Sequence, residues 1–408
     1  MSLRLLFVIL IMVVIAKKLK CENLTLCFVW EDDSYFSTMN RSAAAVYLGV
    51  QNANAYILPR DIQFRIVHVS TGPSCGRTMY TLVSTMYDLL KQGTRCDAFL
   101  GPSCAFTAAA LYGFADTLNV PIFGAPAAGV WAIQVDADYS DYPLLTRPAF
   151  GFSDLTDFLL YFLDEFNYRH LTILQDDSYS FFSSMVGPIM TLLESRRRII
   201  YQNTIVNYVR SKNMTPDDYL PTLRAANARS RVIFLMVHAT GIRDIMIAAS
   251  KMGYTKGEHV FLAVQLYDLP YWGTITPIVH DQYDSIVQQA YRSLLKVELQ
   301  MDIDTTITYN FERQIKTIAR DRYNYLYDPL ESIDPVVKSL YETIRMYATA
   351  IKQLKETGQN YRDGRFLSTF LLEKEFQVFG EPFWIGPDGE RDGIFDIQYF
   401  NAKPTYSR

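Results

Sequence analysis

Asp176 and Asp177 follow the apolar run Leu171–Leu174. Two adjacent carboxylates at a strand end could hold a cationic or hydroxyl-bearing ligand, or they could cap the next helix and face solvent. Gly101-Pro102-Ser103-Cys104 stands at a second such end, after Ala98–Leu100. A strand-to-helix turn offers backbone N–H groups to an anion or ligand, and glycine there also serves plain turn geometry. Asn119-Val-Pro-Ile-Phe-Gly-Ala-Pro-Ala127 ends a further strand in a Gly/Pro turn that should line the same cleft. Gly386-Pro-Asp-Gly-Glu-Arg-Asp-Gly393 is acidic but lacks the alternating ligands and closing Glu of a calcium loop, so it reads as a β-turn. Covalent chemistry is not signalled. Nothing places a histidine near Cys104, so it is a poor nucleophile candidate. The five histidines (68, 170, 238, 259, 280) are scattered and no Cys-x-x-Cys pair occurs, so zinc is not expected. Phosphate-binding, dinucleotide, nucleophile-elbow and His-Glu-x-x-His motifs are absent, which points away from an enzyme.

These turns need strands and helices to hold them. Apolar runs at Leu24–Trp30, Phe64–Val69, Ala98–Leu100 and Val120–Phe123 read as strands. They alternate with helices over 42–54, over a stripe of Met79, Leu82, Val83, Met86 and Leu90 that stops at Gly93, and over 105–118. Such alternation predicts a parallel sheet with helices on both faces. The pattern restarts after a loop at 134–142. Ser153 caps a helix carrying Leu155, Phe158, Leu159, Phe162, Leu163 and Phe166 at helical spacing. Strands 171–174, 232–237 and 260–264 then alternate with helices near 182–195 and 242–252. Asp334-Pro335 pairs an N-cap with proline at the first helical position, and the helix presents Val337, Leu340, Tyr341, Ile344, Ala348 and Ile351. The tail alternates short strands with Asp-Gly turns at 388–389 and 392–393. Successive α/β units of this kind predict two lobes, with a ligand at the C-terminal ends of parallel strands.

Composition narrows the class and the compartment. The chain has 408 residues, 49% of them hydrophobic and 20% charged, enough for large cores and unlike a disordered chain. A net charge of −4 argues against a nucleic-acid binder, which needs a basic footprint. Met1–Arg4 is a short basic head and Leu5–Ala16 an unbroken apolar run before Lys17, Lys18 and Lys20. Residues 1–16 thus read as a cleaved secretory signal, because about 18 Å of helix falls short of a bilayer core of about 30 Å. Asn23, Asn40 and Asn213 begin N-glycosylation sequons. Cys21, Cys27, Cys75, Cys96 and Cys104 make an odd count, which leaves at least one thiol unpaired or intermolecular. The expected location is secreted or on the outer face of the plasma membrane.

Four ordered landmarks carry a family resemblance: Gly101-Pro-Ser-Cys104, Val120-Pro-Ile-Phe-Gly-Ala-Pro126, Phe166-Asn-Tyr-Arg-His-Leu-Thr-Ile-Leu-Gln-Asp-Asp177, and Phe379-Gly380 with Gly386–Gly393. With them the chain, from about Leu24 to Phe400, resembles the extracellular ligand-binding region of natriuretic-peptide receptors and receptor-type guanylate cyclases. The resemblance implies a type I periplasmic-binding-protein-like fold, two α/β lobes with parallel sheets and multiple crossings between them. Lobe 1 is then expected at 22–148 with 285–373, and lobe 2 at 149–284 with 374–405. It implies a Cys75–Cys104 disulfide, with Cys75–Cys96 left open as an alternative, and a chloride held by the amides of Ser103 and Cys104. No other cofactor is expected.

The function implied is non-catalytic binding of a peptide or small-molecule ligand, sensed by lobe closure or rearrangement of a homodimer. The first-lobe helices over 77–92 and 105–118 are where such receptors dimerise. Candidate cleft residues are Glu31, Ser70, Ser103 and Ala125 from the first lobe, and Asp176, His238 and Gln265 from the second. Family receptors continue into a membrane helix, a kinase-like domain and a cyclase domain. The chain carries no cyclase residue and meets the membrane only through a segment it does not contain. A truncated ectodomain and a secreted carrier or decoy are the two forms that fit.

Overall fold

The computed structural model describes residues 21–30, 38–72, 75–102, 105–124, 142–150, 152–176, 182, 186, 189–190, 202–208, 214–266, 273–300, 305–328, 331–378, 382–400 and 406–407. The elements alternate from the start. β1 (Glu22–Trp30) leads to α1 (Met39–Asn52), which runs into a π-helical turn at Ala53–Ile57, then to β2 (Ile62–Ser70). α2 (Cys75–Lys91), β3 (Ala98–Leu100), α3 (Ala105–Leu118), β4 (Ile122–Phe123) and β5 (Leu145–Phe150) follow. Next come α4 (Phe152–Glu165), β6 (His170–Asp176), β7 (Gln202–Tyr208), α5 (Leu220–Asn227), β8 (Val232–Met236), α6 (Ala239–Lys251) and β9 (Val260–Val264). α7 (Asp284–Ala290), β10 (Leu294–Leu299) and the long helices α8 (Thr305–Tyr323) and α9 (Pro335–Glu356) precede the short α10 (Gly364–Leu371). The tail is β11 (Lys374–Gln377), β12 (Pro382–Ile385), β13 (Glu390–Arg391), β14 (Phe395–Phe400) and β15 (Tyr406–Ser407).

The chain divides into two compact units. Unit 1 is Met1–Ala127, Ser140–Ala149 and Thr306–Arg391; unit 2 is Ala128–Tyr139, Phe150–Thr305 and Asp392–Arg408. Two boundaries differ from the sequence expectation. Residues 285–305 belong to unit 2 because β10 pairs in parallel with β9 and antiparallel with β14. Residues 374–391 belong to unit 1 because the β11–β12–β13 meander extends the sheet beside β5.

Unit 1 holds an eight-stranded sheet ordered β11-β12-β13-β5-β4-β3-β1-β2, parallel from β5 to β2. β1 lies inside this sheet, and from Leu24 to Trp30 every residue is buried, which is why its sequence is an unbroken apolar run. α9 starts as the Asp-Pro pair dictates: Asp334 Oδ1 accepts the N–H groups of Val336 and Val337 at 2.8 and 3.0 Å. Its stripe from Val337 to Ile351 is buried, and Tyr347 stacks on Phe64 with ring centroids 5.2 Å apart. Cys27 is bonded to Cys96, tying β1 to the entry of β3, so the Cys75–Cys96 alternative is excluded. Cys21 is free. The Cys75 and Cys104 side chains lie outside the described residues.

Unit 2 holds a seven-stranded sheet ordered β15-β14-β10-β9-β8-β6-β7. Its parallel strands β6, β8 and β9 contribute Leu174, Ile233, Leu235, Phe261 and Ala263 to a core closed by Ile242, Ile245 and Met246 of α6. The expected loop at 134–142 lies outside the described residues except for Tyr142.

Candidate functional site

In unit 2 the strand register sets three of the expected residues along one sheet edge. Gln175 pairs with Met236 and Leu235 with Ala263, so the C-terminal ends of β6, β8 and β9 bring Asp176, Val237–His238 and Gln265 into one row. Asp176 is fully buried rather than solvated. His238 caps α6, its Nδ1 accepting the Thr240 N–H at 3.3 Å. A Cβ on Gly273, which has a φ of +69°, would come within 2.7 Å of His238 Cε1, so the backbone there must stay bare. Gln265 is 3% exposed; its Oε1 accepts the Ile275 N–H at 2.9 Å and its own N–H reaches the Val297 carbonyl. The row continues onto β10 and β14 with a group the sequence reading missed: Lys296 and Gln398 both engage Glu298. The alternation Leu294-Leu-Lys-Val-Glu-Leu299 is the signal that could have shown it.

Unit 1 presents its own strand ends. Ser70, the last residue of β2, is exposed and stands in register with Trp30 at the end of β1. Trp30 is 1% exposed, and its indole N–H is buried without an acceptor. Sequence reasoning passed over Trp30 because it closes an apolar run and looks like core. The turn after β3 needs glycine for geometry. Gly101 has a φ of +77°, and a Cβ there would sit 2.2 Å from the Val29 carbonyl oxygen and 3.0 Å from the Trp30 ring. Its N–H is donated to the Phe123 carbonyl at 2.8 Å, so that amide is not offered to an anion. The remaining first-lobe candidates, Glu31, Ser103 and Ala125, and the proposed chloride amides of Ser103 and Cys104, lie outside the described residues. Of the sequons, Asn23 and Asn40 are exposed, as a glycan-bearing asparagine must be, and Asn213 lies outside the described residues.

The chemistry of these edges is that of hydrogen bonding and shape. Among the described residues no group of three or more His, Cys, Asp or Glu could hold a metal ion. Among them, too, no helix is long and apolar enough to cross a membrane.

Comparison with known proteins places this geometry. Residues 41–402 match the family model of the receptor family ligand binding region. The chain is 22% identical to atrial natriuretic peptide receptor 3 of Bos taurus over 90% of its own length and 67% of the relative's. The human protein of that name matches at 22% over 90% of this chain and 66% of its own length, so the chain spans about two thirds of these relatives. It is 25% identical to receptor-type guanylate cyclase gcy-28 of Caenorhabditis elegans over 46% of this chain and 15% of that protein. Among solved structures, a leucine-binding protein of Thermotoga maritima superposes with a TM-score of 0.56 at 12% identity, covering 94% of this chain and 97% of its own. An amino-acid transporter substrate-binding protein of Pseudomonas fluorescens superposes with a TM-score of 0.57, covering 93% and 90%. The fold is therefore that of the periplasmic binding proteins.

Proposed function

The chain belongs to the receptor family defined by that ligand-binding region, and from this premise we propose that it is the extracellular, non-catalytic ligand-binding region of a receptor of the guanylate-cyclase-linked type. The ligand is a peptide or small molecule, and the strand ends of each unit, Trp30 and Ser70 in unit 1 and Asp176 and Gln265 in unit 2, are the candidate contacts. Binding favours one arrangement of the two units or of a homodimer over another, and a ligand shifts that balance only through its differential affinity for the two states. Cyclic GMP synthesis then belongs to a different part of the receptor. The observation that carries the reading is the family match across residues 41–402, nearly all of the two units.

Fractionation of native tissue with an antibody against this region tests it. A membrane-bound species far heavier than 46.9 kDa is expected. A soluble species near that mass plus glycans would instead make the protein a secreted carrier or decoy. Thermal melting with labelled atrial natriuretic peptide and with leucine, the ligand classes of its relatives, would follow. A ligand at about 100 times its Kd stabilises the folded state by about 2.7 kcal/mol, a readily measured shift.

A further inference from the structure

Unit 1 encloses a pocket that shares no residue with the strand-end contacts named above. It lies between the flank of α9 and β11, the outermost strand of the sheet, and holds about 390 Å³, within the range of small-molecule sites. Arg345, Thr349 and Gln353 stand at i, i+4 and i+8 of α9, so successive turns carry polar groups along one wall. Met346, Phe376 and Val378 supply apolar surface, and the first two are buried.

The charged members of the lining are Arg345, Lys374 and Glu375. Among the described residues neither cation meets a carboxylate. The polar contacts of the Arg345 side chain are with Tyr341 alone: Nη1 donates to the phenol oxygen at 3.2 Å, the guanidinium lies against the ring, and the Nε–H is buried without an acceptor. Lys374 Nζ lies over the Phe370 ring, and partial desolvation pulls its ammonium below the usual lysine range. Glu375 pairs with neither cation. The alternation of β11 puts Lys374 and Phe376 on one face, where Phe376 packs on Phe383 with ring centroids 5.8 Å apart, and the exposed Glu375 on the other, opposite Trp384. Two cations against one carboxylate leave the lining with a surplus of one positive charge.

We propose that this pocket binds a small organic monoanion, its carboxylate held by Arg345 and Lys374 and its short aliphatic or aromatic body against Met346, Phe376 and Val378. A single negative charge matches the surplus of the lining. The buried Nε–H gains the acceptor it lacks, and a hydrogen bond between charged groups is the strong kind. A bare inorganic anion would leave most of the volume and the apolar wall uncovered. A phosphate monoester would bring more charge than two cations offset by Glu375 can meet. The inference adds a second binding site to the ligand reading and does not rest on it.

The test uses the full chain and hexanoate, followed by saturation-transfer NMR, with acetate as the head alone and hexanol as the body alone. Hexanoate should bind, and acetate and hexanol should each bind about tenfold more weakly or worse. Arg345→Gln should weaken hexanoate about tenfold, and Lys374→Gln several-fold with the melting temperature unchanged. Glu375→Gln should tighten it, because the one repulsive charge is gone. A gain of that kind does not arise from damaged folding, so the two edge-strand variants carry the test where Arg345→Gln fails to fold. No binding of hexanoate, or binding indifferent to Lys374→Gln and Glu375→Gln, overturns the proposal. Equal binding of hexanol overturns it by leaving an apolar cavity that ignores charge, and equal binding of acetate by leaving a bare anion site.

Discussion

Removing the Cys27–Cys96 bridge should destabilise unit 1 and spare unit 2. The bridge spans a sequence separation of 69 residues. In the chain-entropy treatment a loop of that length restricts the unfolded chain by about 4.4 kcal/mol at 25 °C. Cys27 is fully buried and Cys96 is 8% exposed, so the double variant Cys27→Ala, Cys96→Ala removes the link with little new polar burial. A kcal/mol shifts the melting of a domain of 150–250 residues by about 2–4 °C, so the unit 1 transition should fall by about 9–18 °C. All five cysteines precede residue 105, and the unit 2 segments contain none. Scanning calorimetry of the variant therefore carries its own control, the unit 2 transition staying in place. A unit 1 shift below about 3 °C would refute the loop-entropy reasoning. A fall of both transitions together would refute the assignment of the bridge to unit 1 alone.

Four further measurements extend this. Thiol counting on the denatured, unreduced chain should find a single reactive cysteine, Cys21, when the proposed Cys75–Cys104 bridge is closed, and three when it is open. Arg41→Ala strands the buried carboxylate of Asp334 and that of Glu331; urea unfolding should show a loss of about 3–5 kcal/mol, and a loss below about 1 kcal/mol would deny the cluster its role. Gly101→Ala, forced into a left-handed φ against the Val29 carbonyl, should cost at least about 2 kcal/mol or prevent folding, whereas Gly113→Ala, where a Cβ meets open space, should be tolerated when both are compared by melting. Partial desolvation where the exposed His68 ring lies against Phe28 and Tyr323 holds its imidazole below the ordinary 6.5. The unfolded chain then takes up the proton first, so this stability is present above pH 6.5 and drains away as pH falls through the lower folded value. His68→Phe should flatten the pH dependence of melting between about pH 7 and 5, and an unchanged slope would exclude His68 as its source.

How much of this was legible in the sequence depended on whether one physical signal dominated locally. β1, β8 and β9 are buried on both faces, so their apolar runs announced them within a residue or two. α9 was legible because cap, proline and stripe agree. β10 was missed because Lys296 and Glu298 interrupt the run, and they are there to pair with each other and with Gln398. α8 was missed as well: its stripe is thin, with Phe311, Ile315 and Ala319 the buried positions and a charged remainder. The unit boundaries slipped for a non-local reason. Which sheet a strand such as β11 or β10 joins is set by its pairing partner, here β12 and β9, and the partner is not written in the strand's own residues.

The same distinction applies to the candidate site. Residue type at a strand end pointed to Asp176, His238 and Gln265, and parallel-sheet topology sends those positions to one edge. It could not give availability. Gln265 spends its carbonyl on the Ile275 amide and His238 spends Nδ1 on capping α6, so both are partly committed to holding the edge in shape. A ligand gains most where it satisfies a group that the fold leaves unsatisfied, because a buried donor without an acceptor costs roughly 1–3 kcal/mol until one arrives. In unit 1 that group is the indole N–H of Trp30, whose residue ends β1 in register with the exposed Ser70. The sequence hid it for a plain reason: a tryptophan ending an apolar strand has the composition of core, and only the tally of hydrogen bonds in the folded unit separates its ring, which packs, from its nitrogen, which has no acceptor.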